Sequence, residues 1–385
     1  MGLEEYRVGT ATPAGSERPL TVDEVTQAIA RANEARDALV LWGGGTRIGV
    51  GDDPARYDVA VDLRSLAGVV DHEPHDLVIT VRAGTTLADL ERTLAPHGQR
   101  WPVEAGDPGR ATVGGTVAGA ADGPSRLRYF HPRDWVIGVR AVLGDGTVTR
   151  AGGRVVKNAT GYDLTKLYSG SYGTLCAIVE LSLKLTACPE RAASLRASLP
   201  SVAAALAIAD DLLSTGIPLD ALAILRERDP DESQGPRTSL LVRLAGTSGG
   251  VDRLRSLVLG RMRASDVDDA VWGSLAALPL RRPLSLRAAY RPAPGFAPDL
   301  AGCDALHYPG VGISHLFPDR AGPGIAALRA ALEARGGALV IERAPADVRA
   351  DLGSWGRARS ASAVAAALKS RFDPGGVLAP GRVPA

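Results

Sequence analysis

Cysteine, aromatic side chains and net charge are all scarce in this chain of 385 residues. Its three cysteines, Cys176, Cys188 and Cys303, lie far apart, which argues against a disulfide scaffold and against a cysteine-held zinc or iron–sulfur site. A reducing cytoplasm fits that usage. Lys and Arg number 44 against 43 Asp and Glu, so bulk charge selects neither nucleic acid nor an anionic membrane surface. Aromatics make up 4%, leaving aliphatics and glycine to wall any flat ligand. The six histidines are scattered and form no metal-binding cluster. Long apolar runs are missing too: Asp210 and Asp211 interrupt the Ala/Leu-rich stretch 201–213, and the opening MGLEEYRVGT has no basic segment leading into an apolar one. The chain reads as soluble, unexported and cytoplasmic, reaching the inner face of a membrane only through a complex.

Glycine is plentiful, and its placement is informative. LWGGGTRIGVG at 41–51 and GDPGRATVGGTVAG at 106–119 each follow an apolar run. Glycine lets backbone N–H groups approach an anion with no Cβ in the way, so the first stretch after ALVLW makes a nest for a phosphate. A dinucleotide suits two such cradles. The Rossmann spacing is nevertheless absent, because the sixth position from Gly43 is Ile48 and the third from Gly114 is Thr116. Neither stretch holds the lysine of a nucleotide P-loop.

The length suggests roughly two to three domains. Thr21 and Glu24 make a capping box for a helix over 22–36, followed by strands at 38–42, 58–63 and 77–82 and a helix capped by Thr86. Asp145-Gly146 joins two strands as a hairpin, and 175–185 alternates toward one face through Leu175, Ala177, Val179, Leu181, Leu183 and Leu185. Cys188-Pro189 breaks that pattern, placing a boundary there. Beyond it come helices at 201–214, 249–264, 321–335 and 360–371, with strands at 220–227, 239–245, 284–290, 304–316 and 338–342.

With GGRVVKNATGYDLTKLYSGSYGTLCAIVELSLKL at 152–185 and FDPGGVLAPGR at 372–382, four motifs stand in order. In these the chain resembles the FAD-binding oxidoreductases of the vanillyl-alcohol oxidase type, and within them the FAD-binding subunits of bacterial glycolate oxidases. The resemblance covers residues 20–187 and the last dozen; the middle carries little of it. It implies an α+β fold: a two-part PCMH-type FAD-binding domain over 1–187, a ferredoxin-like α+β cap over 188–370, and a segment 371–385 returning to the first domain. It also implies FAD-dependent oxidation of a CH–OH group, with a 2-hydroxy acid as substrate and a catalytic flavoprotein and an iron–sulfur subunit as partners.

Carried over by position, the pyrophosphate would meet Gly43, Gly44, Gly45, Thr46 and Arg47. The flavin and ribityl regions would pass Pro102, Gly106, Asp107, Thr112, Gly114, Gly115, Val117, Ala118 and Gly119. Adenine and ribose would lie by Gly173, Thr174, Ile178 and Val179, with Lys157, Asn158, Tyr162 and Asp163 beside them. Lys157 faces either the cofactor or an ion pair with Asp163. A plain turn and a tight core crossover are the alternative readings of the glycine stretches. Many relatives tether the flavin to a histidine after the first glycine loop; Gly49, Val50 and Gly51 occupy that place here, so the expected FAD is non-covalent, with His131 as the nearest other tether.

Oxidising a 2-hydroxy acid needs a base and a carboxylate-binding cation. His307 and His315 bracket LHYPGVGISH and would share one face of a regular strand, although Pro309 and two glycines argue against regularity. Arg226 and Arg243, on neighbouring strands, would clamp a carboxylate. Ordinary structural roles compete for all four. Ala379 stands where relatives carry an asparagine before PGR, which weakens the case for turnover by this chain alone. A stand-alone alcohol or sugar dehydrogenase, and a structural subunit with a vacant flavin site, remain as alternatives.

Overall fold

Thr21 starts the first helix, Val22–Ala35: its Oγ1 accepts from the Glu24 N–H at 3.2 Å, while the Glu24 carboxylate takes the N–H of Leu20 rather than that of Thr21. The computed structural model describes residues 2–121, 123–153, 163–228, 235–356 and 362–383. The chain divides into two units, one comprising 1–122, 131–188 and 358–385, the other 123–130 and 189–357.

The first unit holds two main sheets. Gly15–Glu17, Val59–Asp62 and Leu39–Trp42 form a parallel sheet in that spatial order. The C-terminal segment joins its edge, with the Leu39 N–H donating to the Val377 carbonyl and the Ala379 N–H to the Leu39 carbonyl. An antiparallel sheet runs Val69–Glu73, Val78–Arg82, Cys176–Lys184, Val136–Leu143, Val148–Gly152. Asp145-Gly146 turns the last hairpin, with Gly146 at φ 86°. Side chains of Val22, Val25 and Ile29 pack with Val142, Ala177 and Val179 beneath the first helix. Each valine or isoleucine so buried stabilises by about 1.5–3 kcal/mol.

The apolar residues of 175–185 do not all face one side, contrary to what their alternation implies. Val142 pairs with Ala177 and Ala141 with Ile178, but Arg140 pairs with Glu180, so Val179 is an extra residue in its strand. That bulge switches faces: Ala177 and Val179 pack under the first helix, whereas Leu181, Leu183 and Leu185 join the opposite core.

The second unit is one antiparallel sheet of eight strands. In spatial order they are Ser265–Val267, Arg191–Leu199, Arg237–Gly246, Ala221–Glu227, Asp304–Tyr308, Ile313–Phe317, Ser285–Ala289 and Ala338–Arg343. Helices Val202–Ser214, Ser248–Leu259 and Pro323–Ala334 cover one face; Ala270–Arg281, through Trp272 and Leu275, packs on the other. The sequence reading missed strand Arg191–Leu199 and helix Ala270–Arg281. The span 304–316 is a hairpin turned at residues 309–312.

Candidate functional site

The first glycine stretch leaves the carboxyl end of strand Leu39–Trp42 and opens onto a cleft of about 770 Å³, its mouth included. Open α/β sheets bind ligands at this end of their strands. The cleft's glycines let the surrounding chain pack closely. A Cβ on Gly44 would lie 1.7 Å from the Arg110 carbonyl oxygen, one on Gly43 2.4 Å from Thr112 Oγ1, and one on Gly114 2.6 Å from the Ala83 Cβ. Among the described residues, the N–H groups of Gly44, Gly45 and Thr46 donate to no backbone carbonyl.

The second stretch supplies the facing wall. Thr112 caps the short helix Val113–Ala118 by accepting from the Gly115 N–H at 3.2 Å, and the Gly114 N–H donates to the Ala83 carbonyl at 2.8 Å. The third wall is the turn before strand Cys176–Lys184, stapled to that helix by the Gly170 N–H on the Val117 carbonyl and the Tyr172 N–H on the Ala118 carbonyl. Arg382 closes the loop from below: its Nη2 donates to the carbonyls of Ile48 at 2.6 Å and Val50 at 2.5 Å. Arg47 and Arg382 line the cleft, and no carboxylate does among the described residues, so its field favours an anion.

Of the residues expected at a cofactor, Gly43, Gly44, Gly45, Thr46 and Arg47 line this cleft. So do Thr112, Gly114, Gly115, Ala118, Gly119, Gly173 and Ile178. Six others do not. Val117 is buried in the core of the antiparallel sheet, and the bulge turns Val179 away beneath the first helix. Thr174 Oγ1 donates to the Ser171 carbonyl, and the Asp107 carbonyl accepts the Ala111 N–H within its own turn. Pro102 and Gly106 are buried in the preceding loop. Lys157, Asn158 and Tyr162 lie outside the described residues, while Asp163 caps helix Leu164–Tyr168 and pairs with Lys166 at 3.2 Å. His131 caps the turn Pro132–Trp135 and is not a lining residue.

Sequence reasoning missed Tyr172, Cys176 and Arg382 as lining residues. Arg382 had a signal, since it ends the PGR motif. Cys176 is buried, and burial alone raises its thiol well above the usual range, leaving it protonated and unreactive. Trp42 serves packing, with Nε1 donating to the Tyr57 hydroxyl at 2.6 Å and its ring edge-on to Tyr6.

The structure does not assemble the four expected catalytic residues. His307 pairs in register with Ser314, and His315 with Leu306, so the two imidazoles point to opposite faces of the sheet. Both are buried. His307 Nδ1 lies 2.8 Å from Ser314 Oγ, and His315 Nδ1 lies 3.4 Å from Glu342. Arg243 pairs with Ala221 while Arg226 pairs with Thr238; five residues (226 − 221) separate them along one strand, again on opposite faces, so they form no clamp. Arg226 is bound to Asp299 and the Cys303 carbonyl, and Arg243 to Asp220 and Ser125 across the ring of Trp272.

Burial, aided by the nearby Arg226 charge, lowers the His307 imidazole from 6.5 to about 4. A lowered folded value means that the unfolded chain binds the proton first. The contribution of His307 is therefore complete above about pH 6.5 and falls away between there and pH 4, by up to about 3 kcal/mol. His307→Gln should show a smaller loss than the natural chain in urea melts compared at pH 7.5 and 4.5. Equal losses would contradict this reading.

Residues 13–152 match the FAD binding domain family. The chain is 34% identical over 240 residues to glycolate oxidase subunit GlcE of Escherichia coli (strain K12), covering 62% of this chain and 63% of that one. It is 30% identical over 199 residues to glycolate oxidase subunit GlcD of Bacillus subtilis (strain 168), covering 52% and 42% respectively. With the probable mitochondrial D-lactate dehydrogenase of Danio rerio it shares 30% over 265 residues, covering 66% and 53%. It thus spans less than two thirds of each relative's length. In fold it is similar to alkyldihydroxyacetonephosphate synthase, at a TM-score of 0.70 and 16% identity, covering 95% of this chain and 75% of that one. Residues 13–152 thus carry an FAD binding domain.

Proposed function

We propose that this chain is a PCMH-type FAD-binding protein, the FAD-binding subunit of a 2-hydroxy-acid oxidising complex, working with a catalytic flavoprotein and an iron–sulfur subunit. The observation that carries the cofactor reading is the cleft itself, lined by glycine stretches so tightly packed that a Cβ at Gly43, Gly44 or Gly114 would overlap Thr112, Arg110 or Ala83, with the Gly44, Gly45 and Thr46 N–H groups donating to no backbone carbonyl among the described residues. Bound FAD supplies a two-electron acceptor for the hydride of a CH–OH group. The N–H groups of Gly44, Gly45 and Thr46, with Arg47, would hold its pyrophosphate; Thr112, Gly115, Ala118 and Gly119 would flank the rest. That no described lining residue is a histidine supports a non-covalent attachment.

The substrate class rests on the relatives, two named as glycolate oxidase subunits and one as a D-lactate dehydrogenase. Dependence on a partner rests on side-chain chemistry. Among the described residues the cleft lining holds no histidine, lysine, aspartate or glutamate to serve as a general base. The three cysteines lie too far apart in sequence to suggest a cluster of the chain's own. For the second unit we read two ferredoxin-like halves. Support comes from strand order, which in the first four strands runs last, first, third, second and repeats in the other four from the opposite edge.

The FAD-loaded chain alone is expected to give no dye-coupled turnover with glycolate, D-lactate or D-2-hydroxyglutarate. Adding the catalytic flavoprotein of its native host should restore it. Turnover by the isolated chain would favour the stand-alone dehydrogenase.

A further inference from the structure

The turn that forms the third wall of the cleft uses left-handed backbone at three of four consecutive residues: Gly170 at φ 79°, Tyr172 at 53° and Gly173 at 71°. Glycine takes this conformation without penalty, whereas a side chain with a Cβ is strained there. Two of the three positions are glycine; the third is tyrosine. The backbone is fixed by the 2.9 Å bond from the Tyr172 N–H to the Ala118 carbonyl and the 3.0 Å bond from the Thr174 N–H to the Ser171 carbonyl. In that geometry the half-buried Tyr172 lines the cleft.

Strain held by surrounding bonds at a cleft wall points to a use for the side chain. We propose that Tyr172 is a cofactor-stacking residue whose ring packs on one of the two planar heterocycles of the bound dinucleotide. The inference rests on the FAD reading above. Stacking uses the π-face, so the ring matters more than the hydroxyl.

Three substitutions separate the ring from the strain. Tyr172→Ala removes the ring and keeps the strained Cβ; Tyr172→Gly removes both; Tyr172→Phe keeps the ring. Calorimetric titration of the FAD-free chain with FAD should show Tyr172→Ala and Tyr172→Gly weakened about 10- to 100-fold, and Tyr172→Phe within about threefold of the natural chain. Without cofactor, Tyr172→Gly should melt about 2–4 °C above Tyr172→Ala, which reports relief of strain independently of binding. Titration with ADP and with FMN assigns the ring: a loss confined to ADP places Tyr172 on the adenine, and one confined to FMN places it on the isoalloxazine. Undiminished FAD affinity in Tyr172→Ala, or a loss appearing with neither fragment, would overturn the proposal. A natural chain that binds no FAD would instead remove the cofactor reading itself.

Discussion

Gly44→Ala is expected to weaken FAD binding by at least about 100-fold, since losing even two of the three charge-assisted N–H bonds, at about 1.5–3 kcal/mol each, costs that much. The new Cβ would lie 1.7 Å from the Arg110 carbonyl oxygen, a backbone atom that cannot swing aside as a side chain would. Relieving that overlap requires the two glycine stretches to part, and with them the N–H groups of Gly44, Gly45 and Thr46. Overpacking of this kind also costs about 1–3 kcal/mol of stability, so a thermal melt must accompany the titration. Gly15→Ala is the control, because a Cβ there has no heavy atom within 4 Å. A Gly44→Ala protein that folds cooperatively and binds FAD as tightly as the natural chain would show that the loop is not the pyrophosphate cradle.

The second large effect lies beneath the cleft, where the C-terminal segment is tied down. Asp373 is 2% exposed and accepts from Lys369 Nζ at 2.5 Å and from the N–H groups of Val377 at 3.0 Å and Leu378 at 2.9 Å. Lys369 Nζ also donates to the carbonyls of Thr174 and Leu378. Burial pulls the Lys369 pKa down, while Asp373 opposes that shift and favours the charged form. Removing one member strands the other, and breaking a buried pair in this way costs about 3–5 kcal/mol. Asp373→Ala should therefore lower the melting temperature by about 10 °C. Adding Lys369→Met should cost less than the sum of the single changes, because the ammonium is no longer left without its carboxylate. Loss of less than about 1 kcal/mol in Asp373→Ala would mean that the staple holds nothing together.

What the sequence made legible was local. Thr21 and Thr86 cap their helices through side-chain oxygens, and Asp145-Gly146 turns its hairpin with Gly146 in left-handed backbone. Each depends on residues within four positions. The glycine stretches were legible for a related reason, since close backbone approach permits few alternatives to glycine. The bulge at Val179 was not, because one inserted residue leaves the alternating apolar pattern intact and only pairing with Val136–Leu143 reveals the change of face. Strand Arg191–Leu199 escaped notice because RAASLRASL carries little apolar alternation, and helix Ala270–Arg281 holds a proline at 279. The candidate catalytic residues failed for a different reason. A sequence shows that His307, His315, Arg226 and Arg243 have useful chemistry, but not that Ser314, Asp299 and Asp220 bind His307, Arg226 and Arg243, or that His315 is buried 3.4 Å from Glu342. Tyr172 was hidden in turn because its strain is a backbone dihedral with no signature in composition.

Whether the cleft holds FAD without a covalent bond is tested most directly by a visible absorption spectrum. The purified chain would be incubated with FAD, freed of excess by gel filtration, and measured before and after acid precipitation. Flavin bands that co-elute with the protein and pass into the supernatant on precipitation are the predicted result. A protein that carries no flavin after saturating incubation would contradict the central claim, and bands retained in the pellet would contradict the non-covalent attachment.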